Sequence, residues 1–457
     1  VKILIIGAGP TGLGAAWRLK ELAHSDFLVI ERNPFVGGLA ASFVDSAGFT
    51  WDFAVHVAHS HYRYIDRLMQ SVLPDGFLTH ERRSWVYTQK TFVPFPFQYN
   101  FRYLPEKARQ ECLDGLVSRP PLTSNEPSNF EEWILATAGS GIAKHFMVPY
   151  NTKLWTVPPA AMNCRWLGDR VPETNLERVR RNIRHERDDV SWGPNHVFHF
   201  PRTGGTGSIW HSMARQIGPE RIRLSAEAVA VDPASRSVRL SSGEILPYDH
   251  LISTLPLDRL VRMAGLDELA APASRLQFSR VQVVCIGLPV PIPALMKDKT
   301  WIYCPDPESI YYRITPFSIF SPAHTPDAEH CCSFMCEVAT PGQAPQHPEE
   351  KLAQRVLNDL DQSGLLKLPS AKPHVFHLSS DYAYPIPTLD RDSALAAILP
   401  RFEGINIWSR GRFGAWKYEV GNMDHSIMQG VEVVNRILRG EPESTLPDPA
   451  QVNSGKQ

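Results

Sequence analysis

The chain has 457 residues, enough for two or three domains around sizeable cores. Its 47 basic and 48 acidic residues nearly cancel, which excludes a bulk field for nucleic acid or an anionic membrane surface, so any phosphate binding must come from local clustering. No apolar run reaches the ~18 residues of a membrane-spanning helix, and the seven cysteines are odd in number, scattered and without metal-pair spacing, as reduced thiols of a cytoplasmic protein would be.

Val1 to Ile6 reads as a short apolar strand with no signal-peptide pattern ahead of it. Gly7-Ala8-Gly9-Pro10-Thr11-Gly12 follows, then a helical pattern through Leu19 to Leu22, then a second apolar run, Phe27 to Ile30, ending at Glu31. This is a βαβ opening with G-x-G-x-x-G at its first turn. Gly7, Gly9 and Gly12 allow a tight turn and close approach of a pyrophosphate, and Glu31 is placed to accept from a ribose hydroxyl. Gly37-Gly38-Leu39 soon afterwards favours a flavoprotein over a plain NAD dehydrogenase. His56, His59 and His61 then form an H-x-x-H-x-H cluster. Imidazoles suit zinc, manganese and related divalent metals, and Asp52 or Asp66 would complete such a site; the alternative is a set of loop histidines with structural hydrogen bonds.

From Gln98 to Trp210 the chain reads mainly helical. Ser118 to Pro127 is a polar, proline-containing linker, and Ser128 to Glu131 carries a capping-box pattern. Strand-like alternation returns in Ala226 to Val238 and Ile245 to Thr254. Val281 to Leu288, Trp301 to Cys304, Tyr311 to Thr315 and Cys332 to Val338 predict a mostly antiparallel sheet. Pro322 to Glu350 includes a proline-rich stretch and reads as a long surface excursion, and Ile405 to Trp408 is one more strand.

Ser409 to Ser426 is the richest segment, with Arg410, Arg412, Lys417, Tyr418, Gly421 and Asn422 in one turn-rich stretch before an apolar helix through Ile427, Val431, Val434 and Leu438. Arginine forks, glycine backbone and a helix N-terminus together suit a ligand with anionic groups. The alternative is a basic surface loop before a packing helix. Gly440 to Gln457 is polar and predicted disordered.

The stretches GAGPTGLGAA, VPYNTKLWTVP, CRWLGDRV, FPRTGGTGSIW, YPIPTLDR and IWSRGRFGAWKYEVGN, in order from Gly7 to about Leu438, resemble the UDP-galactopyranose mutases, especially their eukaryotic-type branch. The resemblance implies an α/β fold: a discontinuous Rossmann-like FAD-type domain (1–80, 200–278 and 400–440), an inserted, mainly helical domain (100–195), an antiparallel β-sheet substrate domain (81–99 and 279–399) and a disordered tail (441–457). It implies interconversion of pyranose and furanose forms of a nucleotide-linked galactose, with the anomeric carbon attacked by reduced flavin N5 and no net redox change.

Residue by residue, the resemblance assigns Arg170 and Arg313 to the diphosphate, with Tyr303, Tyr384 and Tyr418 hydrogen-bonding it, and keeps His56 beside the flavin. Asn195 and Trp301 match sugar contacts, and Phe95, Gln98, Asn151 and Trp155 match the nucleotide-base region. Arg82 and Ser84 match the region that receives NADPH as reductant. Gly38, Arg412, Gly421, Asn422 and Ser426 match flavin contacts. The partner is a UDP- or GDP-linked sugar, with no nucleic acid or membrane, and a homo-oligomer is compatible.

The chain also departs from the family. Ala54-Val55 stand where the family has Gly-Gly before the histidine, and glycine there permits φ > 0 and close backbone approach to a ligand. Phe95 and Phe320 replace tyrosines, and Met423 replaces a glutamine. These changes keep open a flavin-independent mutase, metal-assisted and acting on a GDP-sugar. An FAD oxidoreductase of the same superfamily and a non-catalytic nucleotide-sugar binder complete the alternatives.

Overall fold

The computed structural model describes residues 1–73, 76–122, 127–190, 193 and 196–457. The opening is the expected βαβ unit: strand β1 (Ile3–Ile6), helix α1 (Pro10–Glu21) and strand β2 (Phe27–Ile30). β1 is buried along its whole length, which explains its unbroken apolar run. It lies central in a five-stranded parallel sheet whose order is Ile407–Ser409, His250–Ser253, β1, β2, Ile222–Arg223. Segments more than 370 residues apart in sequence therefore share one sheet.

A seven-stranded sheet stands beside it, in the order His374–Pro385, Phe278–Leu288, Cys332–Pro341, Arg313–Pro316, Trp301–Tyr303, Ser84–Thr88, Thr91–Pro94. Its pairings are antiparallel except for Trp301–Tyr303 against Ser84–Thr88. Residues 97–184 supply a helical layer that includes Glu106–Val117, Phe130–Ile142 and Val148–Trp155. The mixed α/β architecture is the expected one.

Helix Met423–Arg439 crosses α1 at short range. The crossing is possible because Gly14 and Gly430 face the other helix: a Cβ on Gly430 would meet the backbone of Thr11 and Ala15, and one on Gly14 the backbone of Ile427. Ile427, Val431 and Val434 pack into the same core as Leu13, Ala16 and Leu19. The late helix is thereby fixed with its N-terminus at the same crevice as the N-terminus of α1.

Three sequence expectations change. The segment 441–457 is folded, not disordered. Glu443 binds the buried Arg410, Thr445 is fully buried, Pro449–Asn453 is helical, and Gln457 exchanges backbone hydrogen bonds with His61 and Arg63. Its polar composition hid side chains that satisfy charges buried elsewhere. The N-cap of helix Phe130–Ile142 is Asn129, whose side chain accepts from Glu132 N–H, rather than Ser128. Pro322–Glu350 is no simple excursion, because Cys332–Pro341 inside it is a buried strand of the large sheet. Of the linker read at Ser118 to Pro127, residues 123–126 lie outside those described. Strand His374–Pro385 and the pairing of Phe77–Glu81 with Val197–Pro201 carried no clear sequence signal.

Candidate functional site

A cavity of about 880 Å³ runs from the glycine turn to the large sheet. Gly7, Gly9, Glu31, Gly38 and residues 226–228 line one end. Gly7 has φ of +101°, a left-handed conformation open to glycine. Gly12 lies behind the turn, where a Cβ would strike the Gly7 carbonyl, so its role is close packing of helix on strand. Glu31 sits at the end of β2 with its carboxylate accepting from Ala8 N–H at 2.9 Å and from Asn33.

Arg412, Gly421, Asn422, Met423 and Ser426 line the cavity farther along. Arg412 donates to the Ala383 and Gly421 carbonyls, and its guanidinium lies 5.1 Å from the Tyr384 ring and 5.4 Å from the Tyr418 ring. Burial lowers its pKa from the ordinary arginine value. The expected pair of ligand-facing arginines in this segment reduces to one. Arg410 is turned inward, bound to Glu443 and Glu403, and is fully buried.

Arg170, Arg313, Tyr303, Tyr384, Tyr418 and Trp301 converge on the same cavity. Arg170 comes from a 3₁₀ turn, Gly168–Arg170, and donates to the Glu419 carbonyl at 2.6 Å. Arg313 stands on a strand with Tyr303 opposite on one side and Glu337 opposite on the other. Its Nε and Nη2 bind the two Glu337 carboxylate oxygens at 2.8 and 2.7 Å, and Tyr312 Oη donates to the same carboxylate. Arg313 is thus held as a cation with Nη1 left over; its pKa is raised although burial opposes the charge, because Glu337 outweighs it. Burial raises the Tyr303 and Tyr384 pKa values, so both are neutral phenols, donors at physiological pH.

The sequence-derived base-region residues divide. Phe95 lines the cavity and packs edge-on against Tyr303, and Arg82 lines it nearby. Gln98, Asn151 and Trp155 do not line it. They are buried in the helical layer, where Asn151 bonds the Met147 carbonyl and Trp155 Nε1, and Trp155 backs the Tyr384 and Tyr418 rings. Ser84 is likewise buried within its strand. Asn195 lies outside the described residues. Phe320 is buried among Phe198, Phe200 and Phe317, away from the cavity.

Phe53, Ala54, Val55 and His56 form one wall. Ala54 and Val55 both keep φ outside the left-handed region, so the loop takes a path that side chains tolerate without strain. His56 Nδ1 donates to the Ala54 carbonyl at 3.1 Å, which leaves Nε2 as acceptor. Burial, reinforced by Arg412, lowers the His56 pKa to about 4, so the ring is neutral. Under the wall, Asp52 accepts from Ser42 and from Thr206 Oγ1, and burial raises its pKa to about 7.

The histidine cluster is rearranged relative to expectation. Asp52 is occupied by Ser42 and Thr206, and Asp66 pairs with Lys456 at the surface, so neither joins the histidines. His61 instead meets Asp424 and His425, two residues the sequence reading passed over inside its own best segment. Burial lowers the pKa of His425 to about 4 and that of His59 below the ordinary value. Glu337 was also missed. It looks like any strand residue until its register opposite Arg313 is known.

These residues fit FAD. Gly9 and Gly38 face each other so closely that a Cβ on Gly38 would lie 3.4 Å from the Gly9 Cα, within the cradle a pyrophosphate needs. The N-termini of α1 and of Met423–Arg439 both lack a side-chain cap, which presents backbone N–H groups at two points along one cavity.

The sequence pattern of the flavin-containing amine oxidoreductases matches residues 10–437. A crystal structure of reduced UDP-galactopyranose mutase superposes with a TM-score of 0.94 at 40% identity, covering 100% of this chain and 98% of that one. Cyclohexylamine oxidase from Brevibacterium oxydans IH-35A shares the fold alone, with a TM-score of 0.62 at 15% identity over 96% of this chain and 98% of that one. A zeta-carotene desaturase of Zea mays is 34% identical over 90 residues, 20% of this chain and 16% of the desaturase. The chain therefore spans only about a sixth of the curated relatives it matches. Matched from its first glycine turn to its last long helix, and aligned end to end with the mutase, the chain belongs to the flavin-containing amine oxidoreductase family, in its UDP-galactopyranose mutase branch.

Proposed function

We propose that the protein is a nucleotide-sugar mutase that interconverts the pyranose and furanose forms of an NDP-galactose-like sugar. One observation carries this reading: two arginines, Arg170 and Arg313, and three tyrosines, Tyr303, Tyr384 and Tyr418, share one cavity with a dinucleotide fingerprint and with Arg412, the arginine matched to the flavin. A leaving diphosphate gains charge as its bond to the sugar breaks, and prepositioned guanidinium groups stabilise that charge. An amine or hydrocarbon substrate needs no such clamp, which disfavours a net oxidoreductase.

FAD is the cofactor, held by Gly7, Gly9, Glu31 and Gly38 at one end and by Gly421, Asn422 and Ser426 at the other. When bound and reduced it supplies the nucleophile for the anomeric carbon. Arg170 and Nη1 of Arg313 bind the diphosphate, and Tyr303, Tyr384 and Tyr418 donate to its oxygens. Neutral His56 offers Nε2 as an acceptor for a sugar hydroxyl, and Trp301 shapes the sugar pocket with Phe95 toward the base. NADPH serves as reductant near Arg82. Placing the dinucleotide unit at 1–80, 200–278 and 400–440 is supported by the five-stranded sheet, whose strands all fall in those ranges. UDP- and GDP-linked sugars both remain substrates to test.

The test is an absorbance spectrum of the purified protein, then assays on UDP- and GDP-galactose with and without dithionite or NADPH, with products resolved by chromatography. Furanose formed after reduction, without stoichiometric reductant use, is the expected result. Steady NADPH oxidation coupled to substrate, or full activity of colourless protein without reductant, would overturn it.

A further inference from the structure

Among the described residues, one cluster of ligating side chains stands outside the groups assigned to diphosphate and flavin. His61 stands just before helix Arg63–Val72, and Asp424 and His425 lie in the first turn of Met423–Arg439. One donor atom from each falls within 4.8 Å of the others, and all three residues are buried. Asp424 Oδ2 is 2.8 Å from His61 Nδ1 and accepts the His61 backbone N–H at 2.9 Å. Asp424 Oδ1 is 3.4 Å from His425 Nδ1, and the His61 and His425 rings stack with centroids 4.7 Å apart.

A second observation points to a ligand. Asp424 Oδ1, both ring nitrogens of His425 and Nδ1 of neighbouring His59 are buried without a hydrogen-bond partner among the described residues. Buried polar atoms are normally paired, and a proton-sharing network would pair these. His425, fully buried, hydrogen-bonds through neither nitrogen, its Nδ1 only facing Asp424 Oδ1 at 3.4 Å. Two imidazoles and one carboxylate form the donor set of zinc-class sites. With metal–ligand bonds of about 2.0–2.2 Å, tetrahedral donors sit roughly 3.3 Å apart. The 3.4 Å between His425 Nδ1 and Asp424 Oδ1 matches that spacing, whereas the 2.8 Å contact of His61 Nδ1 with Asp424 Oδ2 is a hydrogen bond whose proton a bound metal would displace.

We propose that His61, Asp424 and His425 form a binding site for a divalent transition metal of the zinc class. Three protein donors leave one position, and His59, His61 and Asp424 all line the cavity, so that position is filled by His59 or by an oxygen of the bound ligand. Such an ion ties the loop bearing Ala54, Val55 and His56 to the N-terminus of the late helix. A single oxygen donor argues against calcium or magnesium, which take oxygen-rich sites. The site is independent of the mutase reading, which requires no metal.

The test uses the full chain, purified without a metal-affinity tag, and reads metal rather than turnover. Elemental analysis should find about one zinc-class ion per chain. After dialysis against EDTA, titration with Co²⁺ should give tetrahedral d–d bands beyond the flavin absorption, displaced by Zn²⁺. Asp424→Asn and His425→Gln should weaken Co²⁺ binding at least tenfold, while His56→Gln, whose ring is engaged elsewhere, should bind as wild type does. Absent Co²⁺ bands in the wild type, or undiminished binding in Asp424→Asn and His425→Gln, would overturn the proposal. Should either variant fail to fold, the wild-type melting temperature decides: it should rise with Zn²⁺ and fall with EDTA, and indifference to both refutes the site.

Discussion

Arg313 and Glu337 stand directly opposite each other on adjacent antiparallel strands, joined by two charge-assisted hydrogen bonds of 2.8 and 2.7 Å. Glu337 is fully buried, so it aims one edge of the guanidinium and leaves the other toward the cavity. Glu337→Gln should leave Arg313, whose side chain is largely but not fully buried, without its counter-charge and cost about 3–5 kcal/mol of stability. We expect a lower denaturation midpoint together with a raised KM for the nucleotide sugar. Retained stability and unchanged KM would show that the pair does not position Arg313.

Arg170→Ala and Arg313→Ala should each remove a charged contact to the diphosphate, about 1.5–3 kcal/mol. The expected loss in kcat/KM is at least tenfold for each in steady-state assays. Wild-type kinetics for either variant would remove that arginine from the clamp.

Ala54 and Val55 occupy ordinary backbone conformations, so restoring glycine there relieves no strain. Ala54→Gly with Val55→Gly should lower stability by about 0.4–1 kcal/mol per site through greater freedom of the unfolded chain, with a further loss at Val55 from its packing against the cluster that holds Phe49 and Trp51, and with flavin retained. Equilibrium unfolding and the absorbance spectrum check both parts. A stabilised double variant would mean the side chains are strained after all.

Asp52 links pH to stability. Burial raises its folded pKa from the unfolded 3.8 to about 7, so the folded state binds the extra proton between those values. Its contribution is fully present below the unfolded pKa and is lost as pH rises through about 7. Asp52→Asn cannot lose that proton, and its melting temperature should fall less than that of the wild type between pH 5 and 8. Parallel melting profiles would place the charge elsewhere.

Removing residues 441–457 should leave Arg410 without Glu443. We expect a loss of at least about 3–5 kcal/mol, seen as insoluble or early-melting protein. A soluble truncation with wild-type melting would contradict the docking.

The dinucleotide turn was legible because its signals are local. Gly7, Gly9, Gly12 and Glu31 lie within one βαβ unit, and each glycine answers a single steric demand. Arg170, Arg412 and the tyrosines were legible through resemblance, and the structure gathers them at one cavity. Glu337 was not legible, since its meaning depends on strand register. His61 and Asp424 lie 363 positions apart, and no spacing rule joins them. The tail misled because Glu443 and Thr445 are polar by composition yet buried by partnership with Arg410 and Glu432.

The crossing of α1 by Met423–Arg439 bears on how the chain reaches its fold. β1 is flanked by β2 and by His250–Ser253, Ile407–Ser409 extends the sheet beyond His250–Ser253, and α1 is covered by the late helix, so the amino-terminal unit cannot close until nearly all the rest is in place. Such long-range pairing slows folding and prolongs exposure of apolar strands. During synthesis, Ile3–Ile6 and the apolar face of α1 must wait through hundreds of residues, a natural interval for chaperone binding. Slower synthesis or lower temperature should therefore raise the soluble yield more than a faster promoter would.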